Sequence, residues 1–397
     1  MSTVHHRAIE QEIQRQLRLG ATRPGTLPLP DHDDLWAAFS RATGGGKRFR
    51  PNLLLATHEA LGGTRGPAAV QAAAALELMH TAFVVQDDVI DGDQVRRGAP
   101  SLPGGIAADA RRRGAGASEA QRLGEAGGIL AGDLGLVAAL RAIVRCEAPA
   151  PVVERLLDLF ESTLHATAAG ELADVRLQLG PADGPVVLRE ALAVAELKTA
   201  LYSFQLPLRA GAVLADASPE VLSALDEIGS LLGIGFQLFD DLLGMFGDER
   251  RTGKSALGDL REGKRTALIA HASTTEVWPA LQPLLGREDL GEDEARRARS
   301  LLTAGGSRAW VEDLARWHVS SAAEAAVRHD LPPGLVGSLD LATAEILRAA
   351  ELTLPVSVPE LDPSRMPARA SARPSARPLA DPSTPVPRPR ADEELLA

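Results

Sequence analysis

The chain has 397 residues, a formal net charge of −11 and 45% hydrophobic residues, which is typical of an acidic globular protein with ample length for a large core. Aromatic residues make up only 3% of the chain, and this scarcity of rings for base stacking, with the acidic charge, excludes nucleic acid as the main partner. The single cysteine, Cys146, can form neither an intramolecular disulfide nor a cysteine-based zinc site, so we expect a reducing, cytoplasmic compartment.

Charged residues argue against export and against a membrane span. The amino-terminal segment carries His5 and Glu10 and lacks the apolar stretch of a secretory signal, so no export is expected. Asp133 and Arg141 interrupt the apolar run from Ile129 to Val144 within the length of a membrane span. We therefore expect no transmembrane segment.

The predicted elements are helices. Apolar residues recur at helical spacing over residues 68–91, 152–177, 187–212, 219–245 and 290–304. Glycine-rich stretches at 44–46, 98–116 and 247–263 predict the loops, and strand-like alternation is hard to find. We predict an all-α fold with one large helical domain at residues 28–354, preceded by an amino-terminal helix or extension at residues 1–27.

The composition changes from Pro355 onward. Ten of the last 43 residues are proline, and the tetrapeptide Ser-Ala-Arg-Pro occurs at 371–374 and again at 375–378. Such a segment cannot bury enough apolar area to offset the entropy that is lost when it becomes ordered. Residues 355–397 are therefore predicted to form a disordered tail.

Two predicted helices end in clusters of aspartates. On the 68–91 helix, Asp87 and Asp91 lie one turn apart and Asp88 lies about 100° round from Asp87, so three carboxylates can face one cavity. Asp240 and Asp241 end another apolar helix. Neighbouring carboxylates repel unless cations lie between them, and Mg²⁺ prefers carboxylate oxygens. A single pair is usually a solvated face or a helix cap, but two pairs at the ends of apolar helices favour a magnesium site.

Lysine is rare in this chain. The 42 lysines and arginines include only four lysines, namely Lys47, Lys198, Lys254 and Lys264. A drift toward arginine codons would retain lysine only where a compact, strongly hydrated ammonium cannot be replaced by a guanidinium. All four are therefore candidate site residues, although any one of them alone is also compatible with chance survival.

Basic residues flank the acidic clusters. Arg96-Arg97-Gly98 follows the first cluster, and Gly45-Gly46-Lys47-Arg48-Phe49-Arg50-Pro51 precedes it. Acidic and basic groups around flexible glycines indicate a polyanion such as a diphosphate, bridged by metal on one side and clamped by cations on the other. The glycine run alone is compatible with an ordinary turn, and it lacks the Gly-Lys-Ser/Thr ending of a nucleotide-binding loop.

Taken together, these motifs resemble those of the trans-isoprenyl diphosphate synthases, the polyprenyl synthetase family. The match runs motif by motif over about residues 40–270, through 45–51, 87–91 with 96–98, Lys198-Thr199, Phe236-Gln237 with Asp240-Asp241, Lys254 and Gly263-Lys264. The resemblance implies an all-α isoprenoid synthase fold with a central cavity, dependence on Mg²⁺, and a homodimer.

The resemblance also assigns roles to individual residues. Isopentenyl diphosphate would be bound by Lys47, Arg50, His80 and Arg97, and the allylic diphosphate by Arg96, Lys198, Lys254 and Lys264. Mg²⁺ would be held by Asp87, Asp91, Asp240 and Asp241, with Asp88 among the catalytic acids. Taken alone, His80 would more often be a packed core histidine.

One position departs from the family pattern. Gly244 stands where the second aspartate motif has its third aspartate, and Asp248 follows further along the chain. If Asp240 supplies the principal ligand, we expect Mg²⁺ binding to survive with a modest loss of affinity.

The resemblance implies a reaction of ionisation, condensation and elimination. The allylic C–O bond breaks, the alkene of isopentenyl diphosphate attacks the cation, and a proton leaves to the released diphosphate. Thr199 and Gln237 would turn oxygen atoms toward the developing positive charge, or else bond to the backbone of their helices. Phe83, four residues before Asp87 and beside the small Ala82, would partly close the tunnel and give a C15 to C20 product, with C20 geranylgeranyl diphosphate favoured.

Two other functions stay open at this point. A class I terpene cyclase also uses an aspartate-rich helix and Mg²⁺, but it needs no isopentenyl diphosphate site, so Lys47, Arg50 and Arg97 argue against it. A non-catalytic subunit of a heteromeric synthase is expected to lose aspartates, whereas the first aspartate cluster is intact.

The tail presents arginine at every fourth position, at 365, 369, 373 and 377. A synthase core with such an extension is similar to enzymes packaged as cargo in encapsulin shells, which would place the protein inside a nanocompartment. The alternatives are a solvated extension without function and a weak membrane attraction, which nearby acidic residues dilute.

Overall fold

The computed structural model describes residues 3–21, 30–96, 98–179, 187–247 and 257–353. The predicted tail at 355–397 lies outside the described residues, as do two candidate site residues, Arg97 and Lys254.

Helices make up nearly all of the described structure. In chain order they are α1 (Thr3–Ala21), α2 (Pro30–Ala42), α3 (Phe49–Ala60), α4 (Gly66–Ile90), α5 (Leu102–Arg112), α6 (Ala117–Val144), α7 (Ala150–Gln178), α8 (Leu188–Ala195), a π-helix (Glu196–Gln205), α9 (Leu206–Leu214), α10 (Pro219–Phe246), α11 (Gly258–Glu262), α12 (Ala267–Ala272), α13 (Trp278–Leu281), a 3₁₀ turn (Gln282–Leu284), α14 (Glu292–Ala304), α15 (Ser307–Arg328) and α16 (Pro333–Thr353). Strands β1 (Val95–Arg96) and β2 (Ala99–Pro100) form a small antiparallel hairpin. The all-α prediction is confirmed, whereas the central cavity stays a prediction.

The helices α4 and α6 form the most extensive pair in the fold. Pro67 lies in the first turn of α4, where a missing N–H costs nothing, and an alanine-rich run follows it. These alanines are buried, and their small side chains let α4 and α6 approach closely. At Gly128 of α6 an added β-carbon would overlap Val89 of α4. This close pairing holds the aspartate-rich end of α4 in place.

The segment predicted as one helix at 187–212 is divided by the π-helix. At its end, the backbone N–H of Leu206 donates to the carbonyl of Leu201, five residues back, instead of four. Pro207 follows, and its ring would clash with the carbonyl of Ser203 in an unbroken α-helix. Wider turns of this kind are frequent at functional sites, and this one carries Lys198 and Thr199.

Two predicted loops contain helices. The predicted loop at 247–263 contains α11, and its residues 248–256 lie outside the described residues. The other is the predicted loop at 98–116. Residues 98–116 contain β2 and all of α5. Ser101 caps α5 by accepting a hydrogen bond from the N–H of Gly104 at 3.0 Å. Gly104 discourages helix prediction, but a side chain there would overlap the backbone of Gln94. The glycine therefore serves packing and does not mark a loop.

The apolar core has two clusters joined at α9. One cluster contains α1, α4, α6 and α7, and the other is built mainly from α10 and the helices that follow it. Residues of α9 belong to both, with Leu206 in the first cluster and Leu208 in the second. The preceding π-helix also contacts both clusters, with Phe204 in the second and Tyr202 packed against the first.

Within the described residues, three helices are long and apolar enough to cross a membrane by length and composition alone, namely α4, α6 and α10. This differs from the expectation based on Asp133 and Arg141. Inside the protein, 78% of the most apolar window of α4 is buried, and 50% of the corresponding window in α6 and in α10. Packing within a helical core accounts for much of this apolar character.

Candidate active site

The two acidic motifs lie at the carboxyl ends of two long helices. Asp91 caps α4, which carries Asp87 and Asp88 in its last turn, and Asp240 and Asp241 precede the end of α10 at Phe246. The carboxyl end of a helix carries a partial negative charge, so carboxylates there are destabilised until cations approach.

Three carboxylates are grouped closely enough to share one ion. Asp87, Asp91 and Glu171 each offer an oxygen within 4.8 Å of the oxygens of the other two. Glu171 comes from α7, which approaches the π-helix because Gly170 has no side chain; a β-carbon there would lie 2.7 Å from the backbone nitrogen of Lys198. The group combines two predicted ligands with one that the sequence did not reveal.

The ammonium of Lys198 lies among the carboxylates of two helices. Its Nζ is 2.9 Å from Asp174, 3.0 Å from Glu171 and 3.4 Å from Asp87. Burial alone would lower the pKa of Lys198, but the three carboxylates outweigh it and raise the pKa above its usual value. Lys198 is therefore positively charged and partly neutralises the acidic group.

Lys264 is also surrounded by carboxylates, which belong to Asp91, Asp259 and Glu262. Its Nζ is 3.0 Å from Glu262, 3.3 Å from Asp91 and 3.5 Å from Asp259. Burial lowers the pKa of Lys264, and the surrounding carboxylates again outweigh it, so the pKa is raised. Both lysines therefore contact the first acidic motif directly.

Asp88 does not belong to the group formed by Asp87, Asp91 and Glu171. Its side chain is 3% exposed and forms a short ion pair with Arg96, whose guanidinium also lies 2.9 Å from Asp87. Burial raises the pKa of Asp88 to about 6, despite the opposing charge of Arg96. Asp88 thus positions Arg96.

Negative charge exceeds positive charge among the described residues of the site. Three cationic side chains, Arg96, Lys198 and Lys264, form ion pairs with eight carboxylates: Asp87, Asp88, Asp91, Asp93, Glu171, Asp174, Asp259 and Glu262. Asp240 and Asp241 add two further carboxylates, and Asp241 is influenced by the charges of Asp174 and Asp259. Oxygen ligands and such an excess suit a hard divalent cation. The residues present therefore fit Mg²⁺.

A hydrogen-bond chain links the π-helix to the second acidic motif. The hydroxyl of Thr199 donates to Oε1 of Gln237 at 2.6 Å, and Nε2 of Gln237 donates to Asp241 at 2.7 Å. Burial raises the pKa of Asp241 well above its usual range, and the bond from Gln237 opposes this. The side chains of Thr199 and Gln237 thus form a hydrogen bond with each other. This contradicts the alternative in which each side chain forms a hydrogen bond with the backbone of its own helix.

Tyr202, on the π-helix, contacts three of the predicted site residues. Its ring stacks on His80 with centroids 5.9 Å apart and meets Phe83 edge-on at 5.2 Å. The guanidinium of Arg50 lies 4.8 Å from the ring centroid and donates to the hydroxyl of Ser203 at 2.8 Å. These contacts place Arg50, His80 and Phe83 in one cluster.

Three predicted residues lie apart from these contacts. Lys47 is largely exposed, with its Nζ 3.7 Å from Glu345 of α16. Ala82 is fully buried, and a β-carbon at Gly135 of α6 would lie 3.0 Å from it. Asp240 is exposed and does not belong to the group formed by Asp87, Asp91 and Glu171.

Comparison with known proteins decides the family. The family description "Polyprenyl synthetase" matches residues 34–302. The chain belongs to the polyprenyl synthetase family. This membership confirms the family that the motifs predicted, and with it a prenyltransferase.

Individual members of the polyprenyl synthetase family agree with this assignment. A geranylgeranyl diphosphate synthase of Methanosarcina mazei is 30% identical over 317 residues, covering 80% of this chain and 90% of that protein. A (2E,6E)-farnesyl diphosphate synthase of Mycobacterium tuberculosis is 31% identical over 295 residues, covering 72% and 75%. A crystal structure of geranylgeranyl pyrophosphate synthase from Corynebacterium glutamicum, complexed with isoprenyl diphosphate and magnesium, has a TM-score of 0.75 at 29% identity, covering 86% of this chain and 97% of that one.

Sequence reasoning missed several residues of this site. Glu171 and Asp174 lie three positions apart on α7, a spacing that puts them on one helix face and was the available signal. Tyr202 is the single tyrosine of the chain and lies four residues after Lys198. Asp259 and Glu262 lie in α11, which ends two residues before Lys264, and the sequence pattern did not identify them as its partners.

Proposed function

We propose that this protein is a Mg²⁺-dependent short-chain prenyltransferase that condenses isopentenyl diphosphate with an allylic diphosphate to give geranylgeranyl diphosphate. The observation that carries the proposal is the group of Asp87, Asp91 and Glu171 beside two buried, charged lysines. Geranylgeranyl diphosphate synthases of Methanosarcina mazei, Saccharolobus solfataricus and Sulfolobus acidocaldarius, 30 to 31% identical, support the C20 product.

Asp87, Asp91 and Glu171 would hold Mg²⁺, with Asp240 and Asp241 contributing from the second motif. Bound Mg²⁺ would neutralise the negative charge that develops on the departing diphosphate. The similar Corynebacterium glutamicum synthase is complexed with magnesium and isoprenyl diphosphate, which supports this assignment.

Lys198 and Lys264 would bind the allylic diphosphate. In the free protein their ammonium groups are held by carboxylates, so the charge stays on the lysines and within reach of the first motif. With a divalent cation held by Asp87, Asp91 and Glu171, the two ammonium groups would be available to the diphosphate oxygens. Arg96, held by Asp87 and Asp88, would bind the same diphosphate. Lys254 is assigned to this diphosphate from its sequence motif alone.

Arg50 and His80 would bind isopentenyl diphosphate, together with Lys47 and Arg97. The ring of Tyr202 lies against both Arg50 and His80, and Ser203 accepts from the Arg50 guanidinium, so their positions are set by the π-helix. A terpene cyclase binds no second diphosphate, so Arg50 beside His80 favours the condensation reaction.

Thr199 would face the developing allylic cation. Its proton is donated to Gln237, which leaves the lone pairs of its oxygen available to positive charge, and Asp241 in turn orients Gln237. The proton lost after condensation would leave with the diphosphate, so no protein nucleophile is required. Gln237 is thereby a positioning residue.

The decisive experiment is a product assay on purified protein. Mg²⁺, isopentenyl diphosphate and each allylic diphosphate in turn should yield a C15 to C20 prenyl diphosphate, with C20 dominant. Cyclic hydrocarbon formed without isopentenyl diphosphate would identify a cyclase instead. Absence of turnover until a second subunit is added would identify a non-catalytic partner.

We also propose that the protein is a homodimer formed through α6. Four exposed apolar residues recur every seven positions along this helix: Leu123, Leu130, Val137 and Val144, each at least 50% exposed. Seven residues are almost two helical turns, so the four side chains form one line about 30 Å long. Such a line is self-complementary and suits a second copy related by a two-fold axis.

For the tail at residues 355–397 we propose a docking role in a protein shell such as an encapsulin. Its proline and arginine composition supports the proposal. Removing residues 355–397 should leave turnover intact and abolish co-purification with a shell expressed in the same cells. Packaging of the shortened chain would overturn the proposal.

A further inference from the structure

The second acidic motif has a gap at Gly244. This residue lies one turn beyond Asp240 and Asp241 on α10, where a third carboxylate would share their face. The space above the glycine is occupied, because a β-carbon built on Gly244 would overlap Oδ2 of Asp259 and would lie 3.2 Å from its Cγ. The Asp259 carboxylate therefore lies against the Cα of Gly244, where an aspartate side chain would begin.

Asp259 reaches this position from α11 and is connected to both acidic motifs. The ammonium of Lys264 is 3.5 Å from Oδ1 of Asp259 and 3.3 Å from Oδ2 of Asp91 in the first motif. The charge of Asp259 also acts on Asp241 in the second motif. Asp259 thus lies on the side of Gly244 that faces the proposed diphosphate site.

We propose that Asp259 supplies the third carboxylate of the second acidic motif, and that Gly244 is needed because only glycine leaves room for it. The inference rests on the proposed function, since these carboxylates would serve a divalent cation bound with a diphosphate. If Asp259 has this role, the weakened Mg²⁺ binding expected from Gly244 should not occur. The third carboxylate is still present in the motif, but α11 provides it instead of α10.

The two carboxylates compete for one space, so an exchange of positions tests the proposal. Asp259→Asn keeps the side-chain shape and should weaken binding of Mn²⁺, measured by electron paramagnetic resonance with inorganic diphosphate present, about tenfold. Asp259→Ala should weaken it similarly. Adding Gly244→Asp to Asp259→Ala should restore the affinity to within about threefold of the unmodified protein, since the new carboxylate enters the vacated space.

Gly244→Asp alone should lower the melting temperature, because two carboxylates would then overlap in one space. The control is Gly337→Asp, which adds the same group to an exposed glycine of α16 with no neighbour within 4 Å, and which should change neither Mn²⁺ affinity nor melting temperature. Circular dichroism confirms that each variant is folded before metal is added.

The outcomes separate the two proposals. Unchanged Mn²⁺ affinity in Asp259→Asn, or no recovery in the double variant, overturns the role of Asp259 even if the unmodified protein condenses its substrates. If the unmodified protein binds Mn²⁺ with diphosphate but makes no prenyl product, the proposed function fails while the exchange result still decides the role of Asp259.

Discussion

Tyr202 is in contact with residues that we assign to two different steps. Its ring stacks on His80 and lies beneath the Arg50 guanidinium, which would bind isopentenyl diphosphate, and its other contact is the edge of Phe83, which would limit chain length. A ring packed from several sides has little freedom to move. The position of Phe83 is therefore fixed by the same residue that orders the cationic cluster.

If Phe83 limits chain length as proposed, Phe83→Ala should lengthen the product by at least one isoprene unit, because the side chain that would close the path below Asp87 is removed. Chromatography of the dephosphorylated products measures the change. Val89→Ala is a suitable control on the same helix, since Val89 packs against Gly128 of α6 and should leave product length unchanged. An unaltered profile in a folded Phe83→Ala protein would show that another residue limits the chain.

His318 makes stability depend on pH. It is buried on α15, and burial lowers its pKa from 6.5 to about 4. Between these values the unfolded chain binds a proton that the folded protein does not, so stability is lost as the pH falls below about 6.5. From pH 7 to pH 5 this residue should account for a loss of about 2 kcal/mol, which urea unfolding can measure.

His318→Leu is the matched variant for this measurement, because it keeps an uncharged side chain of similar size in the same packing. Its unfolding free energy should fall less than that of the unmodified protein over this pH range. Parallel curves for the two proteins would show that His318 is protonated without cost in the folded state.

Residues within one motif were predictable and those contributed by other helices were not. The positions of Asp87 and Asp91 follow from helical spacing, as does the direction in which Asp88 departs from them. Glu171 joins them from α7 only because Gly170 permits close approach, a tertiary effect that no local pattern encodes.

Arg48 links three helices through its backbone position and two ion pairs. It precedes α3 with a left-handed backbone (φ 50°), and its guanidinium donates to Glu10 of α1 at 2.5 Å and to Glu77 of α4 at 2.7 Å. The side chains of Arg48 and Glu77 are only 2% and 9% exposed, so their ion pair is shielded from water, whereas Glu10 is 34% exposed. The motif that carries Lys47 and Arg50 is thereby held against α4, and α1 is held with it.

Arg48→Met should destabilise the protein by about 3–5 kcal/mol, because it leaves the buried carboxylate of Glu77 without a counter-charge. Urea unfolding measures the loss. Glu10→Gln, at the more exposed end of the network, should cost no more than about 1 kcal/mol. Equal losses in the two variants would contradict the view that Glu77 dominates the effect.

The long apolar helices α4 and α10 were predicted closely, whereas the π-helix and α5 were not. The bounds of α4 and α10 agree with the sequence pattern to within two residues. The π-helix was missed because its residues keep a helical composition and only Pro207 signals a change of hydrogen bonding. In α5, Pro103 and Gly104 look like loop residues but begin a capped helix.

The buried apolar residues form two clusters, and four exposed apolar residues form a line along α6. The clusters around α4 and α10 account for the buried faces of the long helices. The line of Leu123, Leu130, Val137 and Val144 on α6 has no such partner within the described part of the chain, because these side chains are exposed. An apolar line of this length in water favours association.

Leu130→Glu should convert the proposed dimer into a monomer, because two copies related by a two-fold axis would bury two carboxylates for each substitution. Light scattering coupled to size-exclusion chromatography gives the mass directly. Leu341→Glu on α16 is the control: Leu341 is 71% exposed, against 55% for Leu130, so the same charge is added at a comparable surface position outside the line. If Leu130→Glu stays dimeric while Leu341→Glu dissociates, the interface lies on α16 and the exposed line of α6 serves another partner.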